Sequence, residues 1–220
     1  MAARDLPVLI AGDVHGDLER LLRTLKRYPA AEWRTIFLGD LVDGGVFGVG
    51  ALRFARDRAN SEVLLGNHEV AMLWALRDPT RIGWWMGMGG QQHDLDELRN
   101  DESLQDWLRE RPAMLALDDG TLLQHCGNDA YVELGSDLAG VNLKTREMLS
   151  DGAEDRLWEL LSGANVFEVQ LARLERYRKR MHARRVVFGH KPHRGRQPAV
   201  FHAGAALNYE GAIAPLPRRF

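Results

Sequence analysis

Asp, His and Asn recur in one setting along this 220-residue chain: directly behind a short apolar run. Gly12-Asp13-Val14-His15-Gly16, Gly39-Asp40-Leu41-Val42-Asp43-Gly44 and Gly66-Asn67-His68-Glu69 show the pattern first. Gln124-His125 and Gly189-His190 repeat it later. These groups offer nitrogen and oxygen donors and no thiolate, a set suited to Mn²⁺, Fe or Zn²⁺ better than to Ca²⁺. Any one of them alone is an ordinary turn former or helix cap. Five strand ends carrying such groups together point instead to one shared metal site.

The elements that must position them are short. Pro7–Ala11, Thr35–Leu38 and Glu62–Leu65 read as buried strands, each followed by a glycine and a polar residue. Leu18–Arg27 places Leu18, Leu21, Leu22 and Leu25 at helical spacing, and Ala51–Arg58 is the next helix. Strand–loop–helix units in succession imply parallel strands with right-handed crossovers. In such sheets ligands bind beyond the carboxyl ends of the strands, where these polar residues fall.

Later segments are less regular. Trp84–Gly90 mixes tryptophan, methionine and glycine and reads as an apolar loop, either a lid or packed against the domain. Asp101–Arg109 is a helix capped by Asp101 or Ser103, and Met114–Leu117 with Thr121–Gln124 form a hairpin over an Asp-Asp-Gly turn. Lys144–Leu161 and Val166–His182 read as helices, and Arg185–Phe188, Ala199–Phe201 and Ala206–Tyr209 as strands. No repeat, low-complexity tract or linker divides the chain, so one domain over residues 1–220 is expected.

With 45% hydrophobic and 27% charged residues, the composition excludes disorder and coiled coil as the default. No apolar run reaches the ~20 residues that span a bilayer, and Met1-Ala-Ala-Arg-Asp lacks a signal core. A net charge of −2 gives no global bias toward nucleic acid or anionic membrane. The basic cluster over Arg173–Arg185 alternates with Leu174, Tyr177 and Met181, the pattern of an amphipathic helix with a solvated face. Cys126 is the single cysteine and reads as a small buried residue, in keeping with a reducing, cytoplasmic setting.

The three opening motifs resemble those of the calcineurin-like metallophosphoesterases. The closest likeness is to the phosphoprotein-phosphatase branch and its bacterial relatives, which include symmetrical diadenosine tetraphosphate hydrolases. His125-Cys126-Gly127 and Gly189-His190-Lys191-Pro192 match later motifs of that branch, and Trp84–Gly90 is similar to a Trp…Gly-Gly segment of its bacterial members. The resemblance implies an α/β four-layer αββα sandwich. It also implies two divalent metal ions, most simply Mn²⁺, with Asp13 and His15 joining Asp40 at the first. Asn67, His125 and His190 join Asp40 at the second, and Asp40 bridges. Two such ions ~3.5–4 Å apart lower the pKa of a bridging water and align it with phosphorus.

The resemblance makes His68 the general acid and Asp43 its partner, because an imidazole needs a group that fixes its tautomer and holds its proton. It implies hydrolysis of phosphomonoesters, phosphoserine or phosphothreonine in proteins among them. The alternatives are a dinucleoside polyphosphate hydrolase and, in another class, a non-catalytic metal- or phosphate-binding module. The intact ligand set and the Asp43–His68 pair argue against the module.

Two departures stand out. The branch usually ends its second motif Asp-Arg-Gly, with that arginine gripping phosphate, whereas this chain has Asp43-Gly44-Gly45. Arg173, Arg176, Arg178, Arg194 and Arg196 are candidates to replace it; Arg194 and Arg196 are favoured because they follow the last expected ligand closely. His193 lies one residue too far on to complete a Gly-His-x-His ending and is left out of the ligand set.

Overall fold

The computed structural model describes residues 6–193 and 197–217. Its first half alternates as the residue pattern predicts: β1 (Val8–Ala11), α1 (Leu18–Leu25), β2 (Arg34–Phe37), α2 (Gly48–Asp57), β3 (Ser61–Val63) and α3 (Asn67–Arg77). Short helices α4 (Ile82–Gly87), α5 (Gln92–Arg99) and α6 (Glu102–Arg109) follow. The hairpin of β4 (Met114–Ala116) and β5 (Thr121–Gln124) leads to α7 (Leu138–Asp151), α8 (Glu154–Leu161) and α9 (Leu171–Arg180). The last described elements are β6 (Arg185–Phe188), β7 (Ala199–Phe201), β8 (Ala206–Asn208) and β9 (Ile213–Pro215).

The strands form two sheets, ordered β3-β2-β1-β9 and β4-β5-β6-β8-β7. Parallel pairs make the middle of each, and antiparallel β9, β4 and β7 make edges. Alternation along the strands builds the layers. Ile10, Ile36 and Leu38 meet Leu123, Val187 and Leu207 in an apolar layer shared by the two sheets. Leu9, Ala11, Phe37 and Phe188 belong to the larger cluster with helix residues such as Leu21, Leu52, Val70 and Leu174. Strands buried on both faces read as continuous apolar runs, which is why these segments were legible. The architecture is the αββα sandwich.

Several elements differ from the residue pattern. The Trp84–Gly90 segment is largely the helix α4, because Trp85 is fully buried and Trp84 packs edge-on between Trp74 and Trp158. The single helix expected over Lys144–Leu161 is two, broken where Gly152 turns left-handed at φ 78°. The Val166–His182 helix begins instead as a 3-10 turn over Val166–Glu168 and resumes as α9. Helix α2 starts before Ala51, since the Asp94 carboxylate accepts from the Gly48 and Val49 amides at 3.0 and 2.9 Å. Asp101, not Ser103, caps α6 by accepting from Leu104 N. No helix among the described residues is long and apolar enough to cross a membrane.

Candidate metal centre

The strand ends at one edge of the sheets deliver Asp13, His15, Asp40, Asn67, His125 and His190 to a common place. His125 Nε2 lies 2.9 Å from Asn67 Oδ1, 3.2 Å from His190 Nδ1 and 3.3 Å from Asp40 Oδ2. His15 Nε2 lies 3.8 Å from Asp13 Oδ2. Donor atoms of Asp13, Asp40 and His125 fall within 4.8 Å of one another, so Asp40 stands between the two groups. The outer ring atoms are turned away for a reason. His125 Nδ1 is 2.9 Å from Leu38 O and His15 Nδ1 3.3 Å from Val42 O, hydrogen bonds that leave each Nε2 as the inward donor.

These side chains fit divalent cations. Asp13 is 2% exposed, yet its Oδ2 has no hydrogen-bond partner, and His190 Nε2 is likewise buried and unpartnered. Buried polar atoms left so carry a cost that a bound cation removes. Burial, with the charges of Asp40 and Glu210, pushes the Asp13 carboxyl well up. Burial and the neighbouring His125 charge push His190 down to about 3, so its ring is neutral and able to donate. Burial opposes ionisation of Asp40, but His125, His68 and His15 outweigh it and hold that carboxyl below the usual range.

The backbone is shaped to present them. His15, Asp40, Asp43 and His190 all adopt left-handed conformations, at φ 50°, 50°, 66° and 74°. Non-glycine residues occupy that region at a cost, and such residues cluster at functional sites. The loops after β2 and β3 also approach very closely. A Cβ on Gly66 would fall 2.2 Å from Asp40 Oδ1, so only glycine admits the carboxylate there.

His68 sits beside this group, its ring edge-on to His15 at 4.9 Å. Asp43 Oδ2 accepts from His68 Nδ1 at 2.7 Å and from Trp85 Nε1 at 3.1 Å. Burial alone would lower the His68 pKa; the Asp43 hydrogen bond and the charges of Asp40, Asp43 and Glu69 push it up to about 9. Burial raises Asp43 despite these partners.

Sequence reasoning missed two supporting residues. Glu69 is fully buried, and its carboxylate accepts from the backbone amides of Asp40, Leu41 and Gly66 at 2.8, 2.6 and 3.0 Å. It ties the second strand-end loop to the third. Its position in Gly66-Asn67-His68-Glu69, three residues into a helix start, was the available signal. Trp85 orients Asp43 across 42 residues of chain, which no local spacing reveals.

The arginines divide. Arg194 and Arg196 lie outside the described residues. Arg173 is paired with Asp129 and Arg178 with Glu175. Arg20 lines the cleft of about 630 Å³ beside Asp13 and His15, but its guanidinium donates to the carbonyls of Gly211, Asp13 and Val14. Gly44 itself is left-handed at φ 77°, a poor place for any side chain. Among the described residues His193 joins none of the donor groups gathered here. Cys126 is fully buried, and burial pushes its thiol pKa well up.

The model of the calcineurin-like phosphoesterase family matches residues 6–194. The chain belongs to the calcineurin-like phosphoesterase family, a family of hydrolases. It is 32% identical over 111 residues to a symmetrical bis(5'-nucleosyl)-tetraphosphatase of Methylococcus capsulatus, and 33% over 113 residues to one of Thioalkalivibrio sulfidiphilus. Those matches cover 49% and 50% of this chain and only 38% and 40% of the relatives. Among solved structures, a cold-active protein-tyrosine phosphatase of a psychrophilic Shewanella shares the fold with TM-score 0.70 and 19% identity, over 94% of this chain and 71% of that one. A protein serine/threonine phosphatase from Saccharomyces cerevisiae does so with TM-score 0.64 and 16% identity, over 95% and 68%.

Proposed function

We propose that the chain is a metal-dependent phosphohydrolase. Asp13, His15 and Asp40 would hold one divalent cation and Asp40, Asn67, His125 and His190 the other, with Mn²⁺ the first choice and Fe or Zn²⁺ the alternatives. The observation that carries this reading is the meeting of these six side chains, from five strand ends, beside the hydrogen-bonded His68–Asp43 pair. Bound cations supply a nucleophilic water at neutral pH and polarise phosphoryl oxygens.

The chain's own residues do the rest. Asp43 takes the His68 Nδ1 proton into a hydrogen bond, which leaves Nε2 as the atom that holds the proton for the leaving oxygen. Trp85 fixes Asp43, and Glu69 fixes the loop that carries Asp40. Arg194 or Arg196 remains our assignment for the phosphate oxygens that the missing side chain at Gly44 does not reach.

On substrate, the likeness to two symmetrical bis(5'-nucleosyl)-tetraphosphatases favours the phosphoanhydride of a dinucleoside tetraphosphate. The second reading, a phosphomonoester such as phosphoserine or phosphothreonine, rests on the acid pair. An alkoxide leaving group needs a proton, whereas a phosphate leaving group needs one far less. We assign the activity to one domain over residues 1–220 acting in the cytoplasm, in line with the single buried Cys126.

A turnover screen of the Mn²⁺-loaded protein on diadenosine tetraphosphate, phosphopeptides and an aryl phosphate decides. Turnover of the tetraphosphate well above the rest supports the first reading, and preference for phosphopeptides supports the second. Two bound Mn²⁺ with no turnover of any substrate would return the chain to the non-catalytic class.

A further inference from the structure

Asp13 has a second acidic neighbour that lies outside the six-residue set. Glu210 follows β8, in the turn that carries the chain from the second sheet to β9 of the first. Donor atoms of Asp13, His15 and Glu210 lie within 4.8 Å of one another. Glu210 Oε2 and Asp13 Oδ2 are both buried without a hydrogen-bond partner.

The turn is held in this position firmly. Gly12 N donates to Ala212 O at 2.9 Å, Glu210 N to Asn208 Oδ1 at 2.7 Å, and Arg20 Nη1 to Gly211 O at 2.7 Å. A Cβ on Gly12 would fall 1.9 Å from Tyr209 O, so the turn rests directly on the backbone that precedes Asp13. The side chain is thus delivered to Asp13 by tertiary pairing.

Two carboxylates aimed at one point are relieved either by a proton kept on one of them, the direction in which burial, Asp40 and Glu210 push Asp13, or by a cation lying between them. No lysine or arginine does so among the described residues: Arg20, the nearest candidate in the cleft, donates to three backbone carbonyls and pairs with Asp17. What does face both carboxylates is the imidazole of His15. We infer that Glu210 is a further carboxylate ligand of the first cation position, completing an Asp13–His15–Asp40–Glu210 set. The inference rests on the metal-dependent reading above and extends it.

The two positions then differ in kind. The first is rich in carboxylate oxygen, with Asp13, Asp40 and Glu210, and the second is rich in imidazole, with one carboxylate and a neutral amide. Oxygen-rich sites favour the harder ions and imidazole sites the softer ones, so the pair would discriminate between metals.

Calorimetric titration of the metal-free protein with Mn²⁺ tests this without reference to turnover, alongside elemental analysis after dialysis. Glu210→Gln keeps the shape and removes the charge. One of the two equivalents should bind at least 10-fold more weakly in the variant and the other as in the wild type, with Glu210→Asp recovering part of the loss. Circular dichroism of each metal-free variant checks the fold. Two equivalents bound by Glu210→Gln as tightly as by the wild type overturn the inference and leave the proposed function standing. A wild type that binds no Mn²⁺ overturns both.

Discussion

Two clefts lie at opposite edges of the sandwich and treat charge in opposite ways. The one at the strand starts, about 520 Å³, is lined by Arg34, Asp118, Asp119 and Arg185 among apolar residues. Arg34 is bidentate on Glu62 at 2.8 and 2.6 Å, and the buried Arg185 donates to Thr121 Oγ1, Pro217 O and Asp119 Oδ2 at 2.7, 2.8 and 2.9 Å. Each of these cations has protein partners. At the strand ends, Asp13 Oδ2, Asp43 Oδ1, His190 Nε2 and Glu210 Oε2 are buried with none. Charge satisfied within the protein stabilises the fold, and polar atoms left without partners mark the place where something else binds.

The largest expected effect separates the two edges at once. Asp40→Asn should lose both Mn²⁺ equivalents by elemental analysis and lower turnover roughly 10³-fold or more, while the melting point of the metal-free chain moves little. A variant that keeps two ions would break the contrast. Next, His68→Ala should lower turnover by roughly 10²–10⁴-fold with metal content intact, and less for aryl phosphates, whose leaving groups need less protonation. Equal losses on good and poor leaving groups would remove His68 from that role.

At the other edge the pattern should reverse. Arg185→Met should cost about 2–3 kcal/mol of stability, the scale of charged hydrogen bonds lost, with turnover per folded molecule retained. Urea unfolding and specific activity measured together check it. The smallest effect concerns pH. Burial opposes ionisation of Asp119, but its hydrogen bonds from Thr121 and the charge of Arg185 hold the carboxyl below its ordinary value. A carboxyl lowered in the folded state contributes stability above its unfolded pKa of ~3.9, and that contribution is lost as pH falls through the folded value. Asp119→Asn should therefore flatten the fall in stability, followed by melting temperature, between about pH 5 and pH 3; the stability difference is under ~1 kcal/mol because the side chain is partly exposed. An unchanged acid limb would show that Asp119 adds nothing there.

The same contrast explains what the residues disclosed. Asp13, Asp40, Asn67, His125 and His190 follow buried runs, so the placement of each is local and could be read in order. Glu210 also follows a strand, β8, but no glycine precedes it, and its approach to Asp13 depends on β9, whose Ile213-Ala214-Pro215 carries a proline that weakens any strand reading; that strand pairs with the edge β1 offers. Trp85 hid for a similar reason: glycines at 83, 87, 89 and 90 argue for a loop, and the helix depends on burial of the indole against the core. The breaks at Gly152 and after Glu168 turn on single backbone conformations, which apolar spacing does not encode.

The left-handed residues at the strand ends bear on how this protein would respond to engineering. His15, Asp40, Asp43 and His190 each hold a conformation that costs an ordinary L-residue on the order of 1–2 kcal/mol and costs glycine far less. A library sorted only for heat resistance would therefore be drawn toward glycine at these four positions. The survivors would be sturdier proteins stripped of donors on both sides of the centre. Selection for thermal tolerance in this chain has to be paired with a metal-binding or turnover screen from the first round.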